Sequence, residues 1–161
     1  MQAAEDGAID IESIDRPLTI DEGTSLLVLP DRVLDSSDDL ILACQNNVTI
    51  AFGAAAITLN RCREEAGVRL PDPINDERDQ WIGLVYQIRN AFAHDIAEPR
   101  WNIPAQRFAR EYRVGSVCAD LTGLHGLPFE YSHIGGVDGL FQLKTYGGAN
   151  DFGSGATHDD R

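Results

Sequence analysis

Residues 75–97 read NDERDQWIGLVYQIRNAFAHDIA. Trp81, Leu84, Val85, Ile88, Phe92 and Ile96 recur at three- and four-residue intervals, the period that brings apolar side chains onto one face of an α-helix. Asn75 or Asp76 can cap the start, Pro71 and Pro73 break the chain before it, and Pro99 lies beyond its end, so the spacing predicts a helix over about 75–97. On a wheel of about 100° per residue the apolar stripe occupies one side, and Gln87, Asn90 and His94 gather opposite, away from a core. Asn90 and His94 are four residues apart and share a face, whereas Arg89 and His94 are five apart and point roughly 140° away from each other.

Working outward from this helix, a second one precedes it. Ser36-Ser37-Asp38-Asp39 offers N-cap candidates and first-turn acids, Leu40, Cys44, Val48, Ala51, Ala55 and Leu59 follow at helical spacing, and Gly67 provides a stop. A continuous helix over about 38–66 is roughly 45 Å long at 1.5 Å per residue, longer than a small domain needs, and a dimer would use that length. Gly53, Ala54, Ala55 and Ala56 would admit a close helical neighbour, though alanine is also simply the best helix former, and both readings stand. Leu40 to Leu59 is the longest apolar region, but Gln45-Asn46-Asn47 would place three amides within one turn in lipid. The expectation is a buried helix of a soluble protein, with no membrane partner.

Beyond residue 100 the pattern shifts towards strands. Tyr112 to Leu121, Phe129 to Ile134 and Leu140 to Tyr146 are β-prone runs separated by Gly123, Gly126-Leu127-Pro128 and Gly135-Gly136. The fold class expected is α+β: two long antiparallel helices with a small antiparallel β-meander on the C-terminal side. Residues 36–146 form the domain, with its β-rich part over about 107–146. Residues 1–35 are an acidic, partly disordered segment: residues 1–16 have little apolar periodicity and are expected to lack order, and one or two short strands are suggested from Leu18 to Ile20 and Ser25 to Leu29. Residues 147–161 read as a glycine-rich flexible tail.

A length of 161 residues suits one domain with tails. The net charge of −13 argues at first against nucleic-acid binding, which draws its affinity from Lys and Arg. Its distribution weakens that objection. Residues 1–39 hold 11 acids against Arg16 and Arg32, residues 151–161 hold three against Arg161, and the middle of the chain is left at only −2. Within that middle, residues 100–113 (RWNIPAQRFAREYR) carry Arg100, Arg107, Arg110 and Arg113 against Glu111, interleaved with Trp101, Phe108 and Tyr112. Three cysteines, Cys44, Cys62 and Cys118, have no CxxC spacing and cannot all pair within the chain. With no basic leader at Met1-Gln2-Ala3-Ala4, a reducing cytoplasm is the expected compartment.

A histidine beside an arginine on an otherwise apolar segment can serve acid–base chemistry near neutral pH. A two-fold dimer can bring the same patch of two chains into one cleft, so this motif predicts a homodimer. Arg89-Asn90-x-x-x-His94 resembles the motif of the HEPN superfamily, helical proteins marked by Arg, a polar residue that is often Asn, three further residues and His. The resemblance covers about residues 36–99. It implies a helical bundle completed by dimerisation and metal-independent RNA cleavage, in which the ribose 2′-hydroxyl attacks the adjacent phosphate. It makes His94 the general acid or base, Arg89 the stabiliser of the phosphorane's charge, and Asn90 the residue that orients His94 or binds phosphate. Tyr86, one turn earlier, would flank the cleft. Arg100, Arg107, Arg110 and Arg113 would hold the RNA backbone and Trp101, Phe108 or Tyr112 would stack on unpaired bases, unless these arginines simply alternate along a strand face.

Other chemistry is less well represented. His125 and His133 flank a turn without a third ligand at metal-like spacing, the glycine pairs lack a phosphate loop's strand and helix, and Ser116 and Cys118 have no histidine at a diagnostic offset. Neither a metal nor a cofactor is expected. The sequence therefore points to a dimeric HEPN-like ribonuclease, a toxin or defence effector with RNA as substrate and a protein antitoxin or regulator as a further partner. The alternative is a non-catalytic HEPN-like module that binds a protein or nucleotide.

Overall fold

The computed structural model describes residues 33–150, together with residues 10, 15, 19–21, 23 and 26–28. The expected lack of order over residues 1–16, Asp10 and Asp15 apart, and the tail beyond residue 150 lie outside the described residues. The chain divides into two units, Met1–Thr49 and Ile50–Arg161.

In the first unit, strands β1 (Thr19–Asp21) and β2 (Leu26–Val28) pair antiparallel with Ile20 opposite Leu27. Gly23, at φ 79° in their connection, donates its N–H to Asp21 Oδ1 at 2.8 Å. The Asp15 carboxylate accepts the N–H groups of Val33 and Leu34 at 3.0 and 2.8 Å. Helix α1 (Ser37–Glu65) begins here. Ser36 Oγ accepts the Asp39 N–H at 3.2 Å while the Asp39 carboxylate accepts the Asp35 N–H at 3.1 Å, reciprocal bonds that satisfy donors a helix start leaves open.

In the second unit, the later part of α1 buries Phe52, Gly53, Ala56, Asn60 and Arg63, a single helical stripe. It ends as Gly67 takes φ 71° and the N–H groups of Gly67 and Val68 return to the carbonyls of Glu64 and Arg63, a Schellman closure. The expectation of a buried helix holds only for this half, because Leu42, Val48 and Ile50 stand exposed. By length and composition α1 is long and apolar enough to cross a membrane. The stripe from Phe52 onward is committed to the protein core, however. That leaves about 15 residues, roughly 22 Å, against a hydrocarbon layer of about 30 Å.

Helix α2 (Glu77–Phe92) is the axis of the core. Asp76 accepts the Asp79 N–H at 2.8 Å and Asp79 accepts the Asn75 N–H at 2.9 Å, which fixes its first turn. From Trp81 to Phe92 only Tyr86 and Arg89 are not buried. The predicted polar face therefore does not exist: Gln87 and Asn90 are buried, since other elements cover this helix all round. Nor does the helix reach residue 97. The Asp95 carboxylate accepts the N–H groups of Ala97 and Glu98 at 2.9 and 3.0 Å, and the Arg100 N–H returns to the Ala91 carbonyl at 3.0 Å, so the chain turns back directly after Phe92.

Strands β3 (Glu111–Val114) and β4 (Val117–Asp120) form an antiparallel hairpin around Gly115-Ser116, with Tyr112, Val114, Val117 and Ala119 facing the core. The architecture is α+β, with three α-helices and two small two-stranded antiparallel sheets among the described residues. The expected β-meander does not form. Its second run is a 3-10 turn at Tyr131–Ile134, and its third is helix α3 (Asp138–Ala149), which takes in residues 147–149 of the expected tail. Leu140, Leu143 and Gly147 fall on one helical face, and Gly147 admits the Trp81 ring, whose Nε1 donates to the Leu143 carbonyl at 2.8 Å.

Candidate active site

The chain after α2 decides what the Arg-Asn-x-x-x-His segment can do. Phe92 is locked below it: its ring lies 5.5 Å from Phe52 and 4.9 Å from Phe129, whose own ring lies 5.2 Å from Trp101. Gly53 faces the same place, and a Cβ there would stand 2.6 Å from Phe92 Cδ1. The end of α2 is thus rigid, and the polar residues around it are carried on a firm base.

Arg89 is half-buried in the last turn of α2 and donates from Nη1 to Asn90 Oδ1 at 3.2 Å. Asn90, only 7% exposed, therefore serves Arg89 and makes no hydrogen bond to His94. The expected contact between Asn90 and His94 needs a helix that continues past His94, and α2 stops at Phe92. His94 sits exposed on the following turn, where its Nε2 lies 3.4 Å from Asn102 Nδ2. Arg89 and His94 occupy the same end of α2 without a hydrogen bond between them. Beside them, the two backbone N–H donors from Glu98 and Ala97 hold the Asp95 carboxyl below the usual carboxylate range.

Of the residues assigned to RNA, Arg100 is nearest in the fold to this end of α2, through its backbone bond to Ala91; its Nη1 reaches the Gly126 carbonyl at 3.4 Å. Arg107 pairs with Asp72 at 2.5 Å, Arg110 donates to the Ile74 carbonyl at 3.0 Å, and Arg113 pairs with Glu111 at 2.6 Å. These partners divide the basic stretch into separately neutralised or carbonyl-bound groups rather than one continuous cationic strip. Its aromatics face inward. Trp101 is 1% exposed and donates Nε1–H to His133 Nδ1 at 3.0 Å, Phe108 is buried, and the buried Tyr112 hydroxyl donates to the Phe108 carbonyl at 3.1 Å. Burial holds the Tyr112 hydroxyl above its ordinary range despite Arg110 and Arg107 nearby. Trp101, Phe108 and Tyr112, expected to stack on bases, instead have their rings in the core. Tyr86 is half-buried against Phe108, with ring centroids 5.5 Å apart.

Two features escaped the sequence. Asn60 and Arg63 on α1 are buried with polar side chains: Arg63 Nε donates to Asn60 Oδ1 at 3.0 Å, Nη2 to Glu64 at 3.0 Å, and Nη1 to the Val68 carbonyl. Burial lowers the Arg63 pKa, opposed by Glu64 and Tyr86. Asn102 is the other, and no spacing rule links it to His94, eight residues earlier across a turn. His125 and His133 turn out to be acceptors for backbone and tryptophan N–H groups. Among the described residues no group of three or more His, Cys, Asp or Glu side chains is placed to hold a metal ion. Compared with known proteins, the chain matches no family model, no curated relative and no solved structure.

Proposed function

We propose that this chain is an HEPN-like endoribonuclease whose working site is composite, with Arg89 of one protomer acting beside His94 of a second. The reading is carried by one observation: the two side chains share the end of α2, yet each is held by its own neighbour, Arg89 by Asn90 and His94 by Asn102. A symmetric dimer places the same patch opposite itself and supplies each arginine with a histidine across the interface. The exposed apolar side chains of Leu42, Val48 and Ile50 on the long α1 offer surface for such an association. Phe52 on α1 meets Phe92 on α2 while Arg63, later on α1, lies near Tyr86, earlier on α2, which supports α1 and α2 running in opposite senses, as in an HEPN-like bundle.

In the reaction the 2′-oxygen gives up its proton and bonds to phosphorus while the bond from phosphorus to the 5′-oxygen breaks and that oxygen is protonated. The products are a cyclic phosphate and a 5′-hydroxyl. His94 carries the proton, and the planar Arg89 guanidinium, preoriented by Asn90, offsets the charge that builds on the non-bridging oxygens. Arg100 is the residue of the basic stretch best placed to hold the adjoining phosphate. Such an activity suits a toxin or defence effector acting in the cytoplasm and restrained by a partner protein. Incubating single-stranded RNA with the wild type, Arg89→Ala and His94→Ala tests the proposal: cleavage to cyclic-phosphate ends by the wild type and its loss, about 100-fold or more, in both variants is expected.

A second reading is favoured by the Arg89–Asn90 bond, which engages the guanidinium within the chain and not with His94. In it the protein is a non-catalytic HEPN-like module, and a wild type that binds RNA or a protein partner but leaves RNA intact is the outcome that selects it.

A further inference from the structure

Helix α3 turns Leu140, Leu143 and Gly147 inward. Asp138, Phe141, Gln142 and Thr145, at three- and four-residue steps, form the opposite stripe. Water alone would suit charged side chains in such a stripe, yet Phe141 stands in the middle of it, 59% exposed. The turn of the β3–β4 hairpin rises alongside. Ser116 donates its hydroxyl proton to Gln142 Oε1 at 2.6 Å, and a Cβ on Gly115 would stand 3.5 Å from Tyr146 Cδ2. Between helix and hairpin lies an open cleft of about 510 Å³, a size that suits a small molecule or a single side chain.

The polar groups around the cleft favour a cation. Donors that would meet an anion are already engaged: the Gly115 N–H goes to Glu77 Oε1 at 2.7 Å, and the Ser116 hydroxyl proton goes to Gln142. Asp138 supplies a carboxylate at one end, and Glu77 and Asp76 lie beside Tyr146. Among the described residues lining the cleft none is Lys or Arg. Burial first, and then these two carboxylates, hold the Tyr146 hydroxyl above its ordinary range. Asp138 and Phe141, three residues apart on one helix, are surface neighbours with Cβ atoms about 5–6 Å apart. A planar cation bonded to the Asp138 carboxylate can therefore lie over the Phe141 ring, within the roughly 6 Å over which a ring face attracts positive charge.

We propose that the cleft between α3 and the β3–β4 turn binds a guanidinium group on an apolar stem, which pairs with Asp138, stacks on Phe141 and lays its stem against Tyr146. A guanidinium fits better than an ammonium, because its flat face stacks on a ring while its forked N–H groups meet both oxygens of a carboxylate. A free guanidine compound and an arginine side chain of a partner protein present the same group. The cleft stands apart from the proposed ribonuclease site: Glu77 opens α2 whereas Arg89 lies in its last turn, and no residue of the Arg89–His94 segment lines it.

The test is an NMR titration of the full chain with argininamide, with citrullinamide as its uncharged counterpart and with inorganic phosphate, following the backbone amides of Gly115, Ser116 and Gln142. Argininamide at millimolar concentration is expected to shift these signals saturably, and citrullinamide to leave them in place. Asp138→Asn and Phe141→Leu, both at exposed positions, should each weaken argininamide binding about three- to fivefold. An acetylated Gly-Arg-Gly amide separates the two sources. If it binds at least as tightly as argininamide, the cleft takes an arginine of a partner protein; if it is excluded while argininamide enters, the cleft takes a free guanidine compound. The absence of a saturable shift, an equal response to citrullinamide, a stronger one to phosphate, or wild-type affinity in both variants overturns the proposal, and none of these outcomes bears on whether the chain cuts RNA.

Discussion

Gln87 has no exposure to solvent, and neither atom of its amide has a hydrogen-bond partner among the described residues. A buried amide left unpaired costs about 1–3 kcal/mol, and methionine matches its length without the polar atoms. Gln87→Met is therefore expected to stabilise the protein by about 1–2 kcal/mol in urea unfolding. A loss of stability would contradict the reading of that amide as unpaired. The reverse logic applies at His133, whose Nδ1 accepts both the Trp101 indole N–H and the Glu130 N–H at 3.0 and 3.1 Å. His133→Ala strands both donors, one of them in the core, and should lower stability by about 1–3 kcal/mol; an unchanged unfolding midpoint would show that neither bond contributes. Neither residue's part was legible beforehand. A helical wheel assigns Gln87 to a wet face because it presumes that one side of the helix meets water, and the surface position expected of Trp101 followed from its arginine neighbours, whose spacing is the same whether the ring turns in or out.

At the scale of elements, the second helix was readable and its end was not. The Trp81 to Phe92 stripe follows from period alone, and the start was narrowed to a cap at Asn75 or Asp76, of which Asp76 serves, but the stop depends on competition between helix continuation and the carboxylate of Asp95 for the N–H groups of Ala97 and Glu98. That turn carries an acid dependence. Asp95 has its pKa lowered in the folded chain, so the stability it gives is present above the unfolded carboxylate's pKa and is lost as pH falls through the lower folded value. An acid titration by NMR should move the Ala97 and Glu98 amide signals together with the Asp95 carboxyl, and independent movement would rule out the coupling. The third helix was misread because Leu140 to Tyr146 holds β-prone Phe141, Thr145 and Tyr146 between glycines, whereas its buried residues, Leu140, Leu143 and Gly147, fall at helical spacing and Gly147 packs on Trp81. A Cβ on Gly147 would lie 2.5 Å from Trp81 Cζ2, so Gly147→Ala should destabilise by about 1–3 kcal/mol through overpacking. Full stability in thermal unfolding would mean that α3 and α2 are not in this contact.

For the whole molecule, the α+β class was legible in two helical periods followed by shorter punctuated runs, and the buried core is built around α2 as the stripe foretold. The arrangement of the candidate site was half legible: the sequence separates Arg89 from His94 by helix geometry, but the partners that hold each of them come from a helix neighbour and from a segment folded back across a turn. The central claim is that catalysis needs Arg89 from one protomer and His94 from the other, and complementation between two dead variants measures it most directly. Arg89→Ala and His94→Ala, unfolded together in equal amounts and refolded, should form mixed dimers as half of the total, each with one intact site. RNA cleavage should then return to about a quarter of the wild-type rate, while each variant refolded alone stays inactive. No recovery in the mixture, with an active wild type and mixed dimers demonstrably formed, would contradict a site shared between two chains.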